Sequence, residues 1–248
     1  MSCKETLLPL CSRFKPNINI SGSCSDHVNL HPSLSEKAWQ TLAFINANAY
    51  EFPVYMTSID SKTNCVEFSQ LNIVVKAQNC LSVLDLNLHT NENYTLYLNV
   101  DHSTNSYAID IHASTAFGVI QALKTLVQLF VSQFNPDSSN KSLYFTKEAP
   151  CHIEDWPNFK HRGLLLDTAR TFIPVDQILK TIDGLALVKG NVFHWHMTDS
   201  QSWPLLLAQH PELAIKGAYP HQMYTCQDVK QIIHHAYKVT TILVFIKI

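Results

Sequence analysis

From Gly163 onward the chain alternates short, almost unbroken apolar runs with amphipathic ones, and few folds accept that rhythm. Gly163–Ala169 reads GLLLDTA, Asn191–Thr198 reads NVFHWHMT and Thr240–Ile248 reads TTILVFIKI. A strand that is apolar at nearly every position is one covered on both faces, as in a parallel sheet. Between the first two runs, Pro174–Lys189 places a proline in the first turn and an Ile178, Ile182, Leu185 stripe along one side, which predicts a helix. Thr225 with Asp228 three residues on forms a capping-box-like start for a second helix, running through Ile232 to Tyr237. Strand, helix, strand, helix, strand is the opening of a parallel α/β fold.

The preceding half has a different texture. Residues 1–33 are rich in Pro, Ser, Asn and Cys and read as an irregular lead-in. Leu34–Ala49 is predicted helical, with Leu34, Ala38, Leu42 and Ile45 on one face. Val66–Lys76, Tyr94–Val100 and Tyr107–His112 read as strands. Thr115–Phe134 is a long amphipathic helix pattern with Phe117, Ile120, Leu123, Val127 and Phe130 on its apolar stripe. Helices set apart from a run of strands predict a small α+β domain over residues 34–150. Asn135–Asn140 reads as a loop. The proline-interrupted residues 151–160 read as a linker, and residues 161–248 begin the second domain.

Composition narrows the function classes. With 46% hydrophobic and 15% charged residues the 248-residue chain can bury a core. The net charge of −2 comes with no basic run, which argues against nucleic acid or an anionic membrane as partner. No apolar stretch reaches the ~18 residues that a membrane span needs. Met1–Arg13 is shorter and more polar than a secretory core segment, so no signal peptide is evident. The seven cysteines show no C-x-x-C spacing, so neither a metal nor another cofactor is expected. Three N-glycosylation sequons, at Asn19, Asn93 and Asn140, tilt towards a secretory origin.

In a (β/α) barrel, chemistry collects at the C-terminal ends of the strands. Here the first such end is Asp167-Thr168-Ala169-Arg170 and the second is His194-Trp195-His196-Met197-Thr198-Asp199. A guanidinium forks two hydrogen bonds to neighbouring hydroxyls; imidazoles and a carboxylate accept from hydroxyls or orient one another. Indole faces at Trp195 and Trp203 are of the kind that sugar rings stack on. Each of these residues also has a purely structural reading. Arg170 pairs with a nearby acid as readily as with a ligand. His194 and Trp195 serve a core as well as a site. Asp167, set inside an apolar run, is expected to be buried and bonded to backbone or to Arg162. His234-His235 is not a metal pair, because adjacent helical residues do not face each other.

Longer stretches carry a family resemblance. His161–Pro174, HRGLLLDTARTFIP, and Ile178–Asp199, ILKTIDGLALVKGNVFHWHMTD, closely resemble the first two barrel strands and intervening helix of family 20 β-N-acetylhexosaminidases. Ser202-Trp203-Pro204, Pro211-Glu212-Leu213, Lys216–Tyr219, Tyr224-Thr225 and Asp228–Lys230 continue the match. Upstream, Asn93–Leu96 and Phe117–Leu129 resemble the α/β domain that precedes the barrel in that family. The resemblance implies a retaining exo-glycosidase acting on glycans that end in N-acetylglucosamine or N-acetylgalactosamine. The substrate's own acetamido oxygen would be the nucleophile, an exception to the two-carboxylate scheme. It implies that Arg170 binds the hydroxyls at C3 and C4 of the sugar. Asp199 and His196 would support the general acid, and the setting would be lysosomal or extracellular. Cys24 with Cys80 is an implied disulfide, against two free thiols.

The family's acid pair, Asp-Glu, occurs nowhere in the chain. Residues 162–248 number 87, against about 250 for an eight-stranded barrel. The expectation is therefore the first three strands of an incomplete (β/α)8 TIM barrel, catalytically incomplete and poorly soluble by itself. It would be either a truncated copy of an active enzyme or a short non-catalytic isoform that partners a full-length subunit.

Overall fold

The structure, a computed structural model, describes residues 2–3, 8–10, 17–21, 67–76, 86–101, 106–129, 131–134, 142–146, 149–239 and 242–245. The chain divides into two compact units, one of residues 1–85 with 90–157 and the other of residues 86–89 with 158–248. The first unit contains β1 (Ser2–Cys3), β2 (Leu8–Leu10), β3 (Asn17–Ser21), β4 (Glu67–Val75), β5 (Tyr94–Asp101) and β6 (Ser106–Ala113). Helix α1 (Ala116–Gln128) follows, then β7 (Val131–Phe134), β8 (Ser142–Thr146) and β9 (Cys151–Asp155). Six strands form one mixed sheet in the order β1-β9-β5-β6-β4-β3, and β2-β8-β7 form a second.

The period of two in the sequence becomes the two faces of the large sheet. Leu71, Ile73 and Val75 of β4, Leu96 and Leu98 of β5, and Ile109 and Ile111 of β6 are fully buried. Residues between them carry polar groups on the other face, where Asn72 Nδ2 and Asn99 Nδ2 both donate to the Asp110 carboxylate, at 2.6 and 3.2 Å. Helix α1 packs on β4, β5 and β6. Its N-cap Thr115 accepts from the Gly118 amide at 3.0 Å and donates to the Asn91 carbonyl at 2.5 Å. Gly118 sits tight against the chain entering β5: a Cβ there would lie 2.7 Å from the Asn93 carbonyl oxygen.

Two sequence expectations fail in this unit. The helix predicted to reach Phe134 stops at Gln128, and Val131–Phe134 is a strand. The apolar period does not break there. Antiparallel pairing with β8, Val131 opposite Phe145, satisfies the backbone in the extended form instead, a tertiary partner overriding local pattern. Residues 151–160, read as a linker, contain β9, which is hydrogen-bonded on both sides, to β1 and β5. Pro150 and Pro157 lie just outside the strand, so they bracket the ladder without interrupting it. The predicted helix over 34–49, the Cys24 and Cys80 thiols and the Asn140 sequon lie outside the described residues.

The second unit follows the expected alternation: β10 (Gly163–Asp167), α2 (Val175–Leu187), β11 (Val192–His196), α3 (Pro211–Gly217), α4 (Cys226–Lys238) and β12 (Ile242–Phe245). The three strands are parallel in the order β10-β11-β12, with Asp167 opposite His196. The core joins Ile178 and Ile182 of α2, Phe193 and Trp195 of β11, Met197, Tyr224, and Ile232 and Ala236 of α4. The capping box at α4 forms as predicted, the Asp228 amide donating to Thr225 Oγ1 and the Thr225 amide donating to Asp228 Oδ2. His235 Nε2 meets Asp183 Oδ1 at 2.7 Å and ties α4 to α2. One expectation is corrected: β10 is not covered on both faces. It is the edge of this sheet, and Leu164 and Leu165 are 45% and 54% exposed. The central strand β11 keeps Val192, Phe193 and Trp195 buried.

Candidate functional site

Parallel register brings the ends of β10 and β11 level. Beyond the Asp167–His196 pair, the Thr168 amide donates to the His196 carbonyl at 2.9 Å, carrying the ladder one residue further. There the chain leaving β10 turns sharply on the Asp167 side chain. Asp167 Oδ1 accepts from the amides of Ala169 at 3.0 Å and Arg170 at 3.4 Å. Its other oxygen, Oδ2, pairs with Arg170 Nη1. The turn that presents the arginine and the charge that holds it thus come from one residue.

The end of β11 supplies the second half. Arg170 Nη2 pairs with Asp199 Oδ2 at 2.5 Å, and the same oxygen meets His196 Nε2 at 3.2 Å. Asp199 Oδ1 accepts from the Ser200 amide at 2.6 Å, and Asp199 and Ser202 exchange backbone hydrogen bonds. With its amide oxygen turned towards the arginine, Gln201 accepts from Arg170 Nε at 3.1 Å and donates to Asp199 Oδ1 at 3.0 Å. A guanidinium has five N–H donors. Three are engaged here, leaving one hydrogen on each terminal nitrogen for a ligand. The Arg170 side chain is half exposed, whereas those of Asp199 and His196 are 14% exposed, so the group sits on a supported rim.

Alternation along β11 sends Trp195 the other way. It is fully buried, its Nε1 donating to Thr168 Oγ1 at 2.8 Å and its ring edge-on to Tyr224 at 5.0 Å, so it is a core residue and no sugar platform. His194 Nε2 and Trp203 Nε1 are enclosed without a hydrogen-bond partner among the described residues. The Arg170, His196 and Asp199 of the sequence reading are brought together. The Asp167 expectation holds for its bonds to backbone, the Ala169 and Arg170 amides, and is corrected for its charged partner: the carboxylate binds Arg170, while Arg162 donates to the carbonyls of Phe159 and Lys189. Arg162 is too far back along the strand to reach; Arg170 is one turn ahead. The Asp167-x-x-Arg170 spacing was the available signal. Gln201 was missed and had none.

The electrostatics agree with this wiring. The hydrogen bond from His196 is the main force holding the Asp199 carboxyl below the ordinary carboxylate range, helped by the Ser200 amide and the Arg170 charge. At Asp167 partial burial pushes upward, but the Arg170 guanidinium and the backbone amides of Arg170 and Ala169 outweigh it, and the net shift is down. The bond to Asp167 chiefly raises Arg170 further. Burial raises the Tyr224 phenol. A depressed folded-state pKa stabilises the fold above the unfolded value, about 3.9 for aspartate, and that contribution disappears as pH falls through the depressed value. Asp199→Asn should therefore lower the urea midpoint at pH 6, and the gap to the parent should narrow as pH falls below about 3.9. A gap that stays constant over that range would show that the carboxylate charge contributes nothing.

Comparison with known proteins matches this architecture. Residues 159–248 match the family described as glycosyl hydrolase family 20, catalytic domain, and residues 15–129 match one described as beta-acetyl hexosaminidase like. A chitooligosaccharidolytic beta-N-acetylglucosaminidase of Bombyx mori is 40% identical over 156 residues, 62% of this chain and 25% of that protein. A beta-hexosaminidase of Emericella nidulans is 34% identical over 212 residues, 81% of this chain and 33% of that protein. Among solved structures, the chitobiase of Flavobacterium johnsoniae superposes with a TM-score of 0.67 at 28% identity, over 98% of this chain and 32% of its own. The chain thus spans a quarter to a third of the length of these relatives. The two matched segments and the shared mixed α/β fold establish that this chain belongs to glycosyl hydrolase family 20, the β-hexosaminidases.

Proposed function

We propose that this sequence is the sugar-gripping front part of a β-N-acetylhexosaminidase that removes terminal N-acetylglucosamine or N-acetylgalactosamine by substrate-assisted, retaining hydrolysis. The observation that carries the reading is the joined Arg170–Asp199 pair on adjoining strand ends, with guanidinium hydrogens left for a ligand. Arg170 donates to the hydroxyl oxygens at C3 and C4 of the terminal sugar. Asp167 and Asp199 keep the guanidinium charged and aimed, and His196 fixes Asp199. The acetamido oxygen of the sugar attacks its own anomeric carbon, so no carboxylate of the chain serves as nucleophile. The enzyme works in a lysosomal or extracellular setting, a reading supported by the sequons.

The leaving oxygen needs a proton from a general acid, a contribution of about 10²–10⁴ in rate. The family's Asp-Glu pair is not among these 248 residues. They form the start of the barrel, preceded by the α+β domain, and the exposed Leu164 and Leu165 favour cover by further polypeptide, continuous or from a partner subunit. The test is direct. Purified 248-residue chain should leave a nitrophenyl N-acetyl-β-glucosaminide uncleaved, and a polypeptide extended through the rest of the family's catalytic domain should turn it over. Inactivity of the extended protein against both hexosaminides would reject the proposal.

A further inference from the structure

Strand register in the first unit sets out one face of the large sheet as level rows of side chains across β9, β5, β6 and β4. One row is His152, Tyr97, Asp110 and Asn72, and the next is Glu154, Thr95, His112 and Val74. None of these residues is buried. The first row is engaged with itself: Tyr97 stacks on His152 at 4.5 Å, and Asp110 accepts from Asn72 at 2.6 Å. The second row borders a hollow of about 380 Å³, a size within the range of small-molecule clefts, about 300–1,000 Å³. Lys76 and Trp156 carry the alternation two residues beyond Val74 and Glu154, and both line the hollow. Their side chains have no hydrogen-bond partner among the described residues, and Trp156 is 58% exposed, an indole face left in water.

Charge narrows the ligand. Glu154 and Asp155 line the hollow beside Lys76, so an anion gains nothing there, and no metal-holding group of His, Cys, Asp or Glu occurs among the described residues. What remains is a carboxylate that only accepts, an ammonium that only donates, and an apolar ring face. A neutral sugar bearing an acetamide meets all three: its N–H suits Glu154, its carbonyl suits Lys76, and its methyl and ring C–H groups suit Trp156. Strands lie about 4.8 Å apart, so the row from Glu154 to Val74 spans roughly 14 Å, more than one pyranose ring. We infer that this end of the sheet is a second carbohydrate-binding site, which holds a short oligosaccharide of N-acetylglucosamine without cleaving it. The identity of the sugar rests on the hydrolytic reading above; the site itself rests on the hollow and its unengaged side chains. A second point of attachment raises the effective concentration of a polymeric substrate, so weak binding at the sheet is enough to be useful.

The test titrates the β-1,4-linked tetrasaccharide of N-acetylglucosamine into the whole chain, fused to a solubilising carrier, with the carrier alone as blank. The fusion is made in bacteria, so that no sugar attached at Asn93 enters the hollow. Every protein carries Arg170→Ala, which silences the rim. Equilibrium dialysis should give a Kd of about 1 mM. Trp156→Ala should weaken binding about tenfold, whereas Trp156→Tyr, which keeps an aromatic face, should weaken it by less than about threefold. In nitrogen-15-labelled protein, the indole N–H signal that is missing from Trp156→Tyr should shift during the titration, a readout that a change in folding alone does not give. The corresponding tetrasaccharide of glucose, which lacks acetamides, should bind at least about tenfold more weakly. No binding up to about 10 mM, or an equal Kd in Trp156→Ala, overturns the site; equal binding of the glucose tetrasaccharide overturns the acetamide assignment. Hydrolysis by the extended enzyme is measured apart from this, so failure of either reading is visible without the other.

Discussion

Arg170→Ala, placed in a polypeptide that carries this chain and the rest of the family's catalytic domain, is expected to lower kcat/KM for N-acetylhexosaminides by about 10²–10⁴. Each hydrogen bond from a charged donor is worth roughly 1.5–3 kcal/mol, and the two free guanidinium hydrogens offer two of them. Arg170→Lys should recover little, because an ammonium on a flexible stem cannot fork to two adjacent oxygens while also bridging Asp167 and Asp199. The loss should shrink for a substrate lacking the 4-hydroxyl, since one of the two contacts is then absent from the parent as well. A structural arginine would give a different pattern: lowered yield and stability, and equal losses for the full and deoxy sugars. Loss of less than about tenfold, with the deoxy substrate equally affected, would remove Arg170 from the sugar.

What the sequence disclosed and what it withheld follow from range. The three parallel strands and the helices between them were legible because each run is apolar over its length and each helix carries its own start signal, Pro174 for α2 and the Thr225–Asp228 box for α4. The site was legible for the same reason: once β10 and β11 are parallel neighbours, their ends must be level, and Arg170 and Asp199 meet across them. Features set by distant pairing were not. β9 has the polar, alternating composition CHIED and flanking prolines; only pairing with β1, 148 residues earlier at Cys3–Cys151, and with β5, 61 residues earlier at Tyr94–Asp155, makes it a strand. The stop of α1 at Gln128 likewise depends on β8. Burial of β10 was misjudged because an apolar composition reports what a strand is suited to, and exposure depends on which neighbours the chain supplies.

Trp195→Ala should be the most damaging single change to the second unit. The indole is fully buried in the core formed by α2, β11 and α4, and truncation of a buried tryptophan costs about 3–5 kcal/mol, a large share of the roughly 5–15 kcal/mol that holds a domain together. Its position makes the loss local to the site as well. Trp195 Nε1 donates to Thr168 Oγ1, and Thr168 lies between Asp167 and Arg170. The ring also meets Tyr224 edge-on, and the Tyr224 hydroxyl in turn donates to the Ile173 carbonyl at 2.6 Å and accepts from the Ile173 amide, fixing the segment just after Arg170. Trp195→Phe separates the two contributions. It keeps most of the apolar contact but leaves the buried Thr168 hydroxyl short of a partner, a cost of about 1–3 kcal/mol. In the extended enzyme, the urea midpoint should fall in the order parent, Trp195→Phe, Trp195→Ala. If Trp195→Ala unfolds within about 1 kcal/mol of the parent, the rim at Arg170 is held by something other than this core.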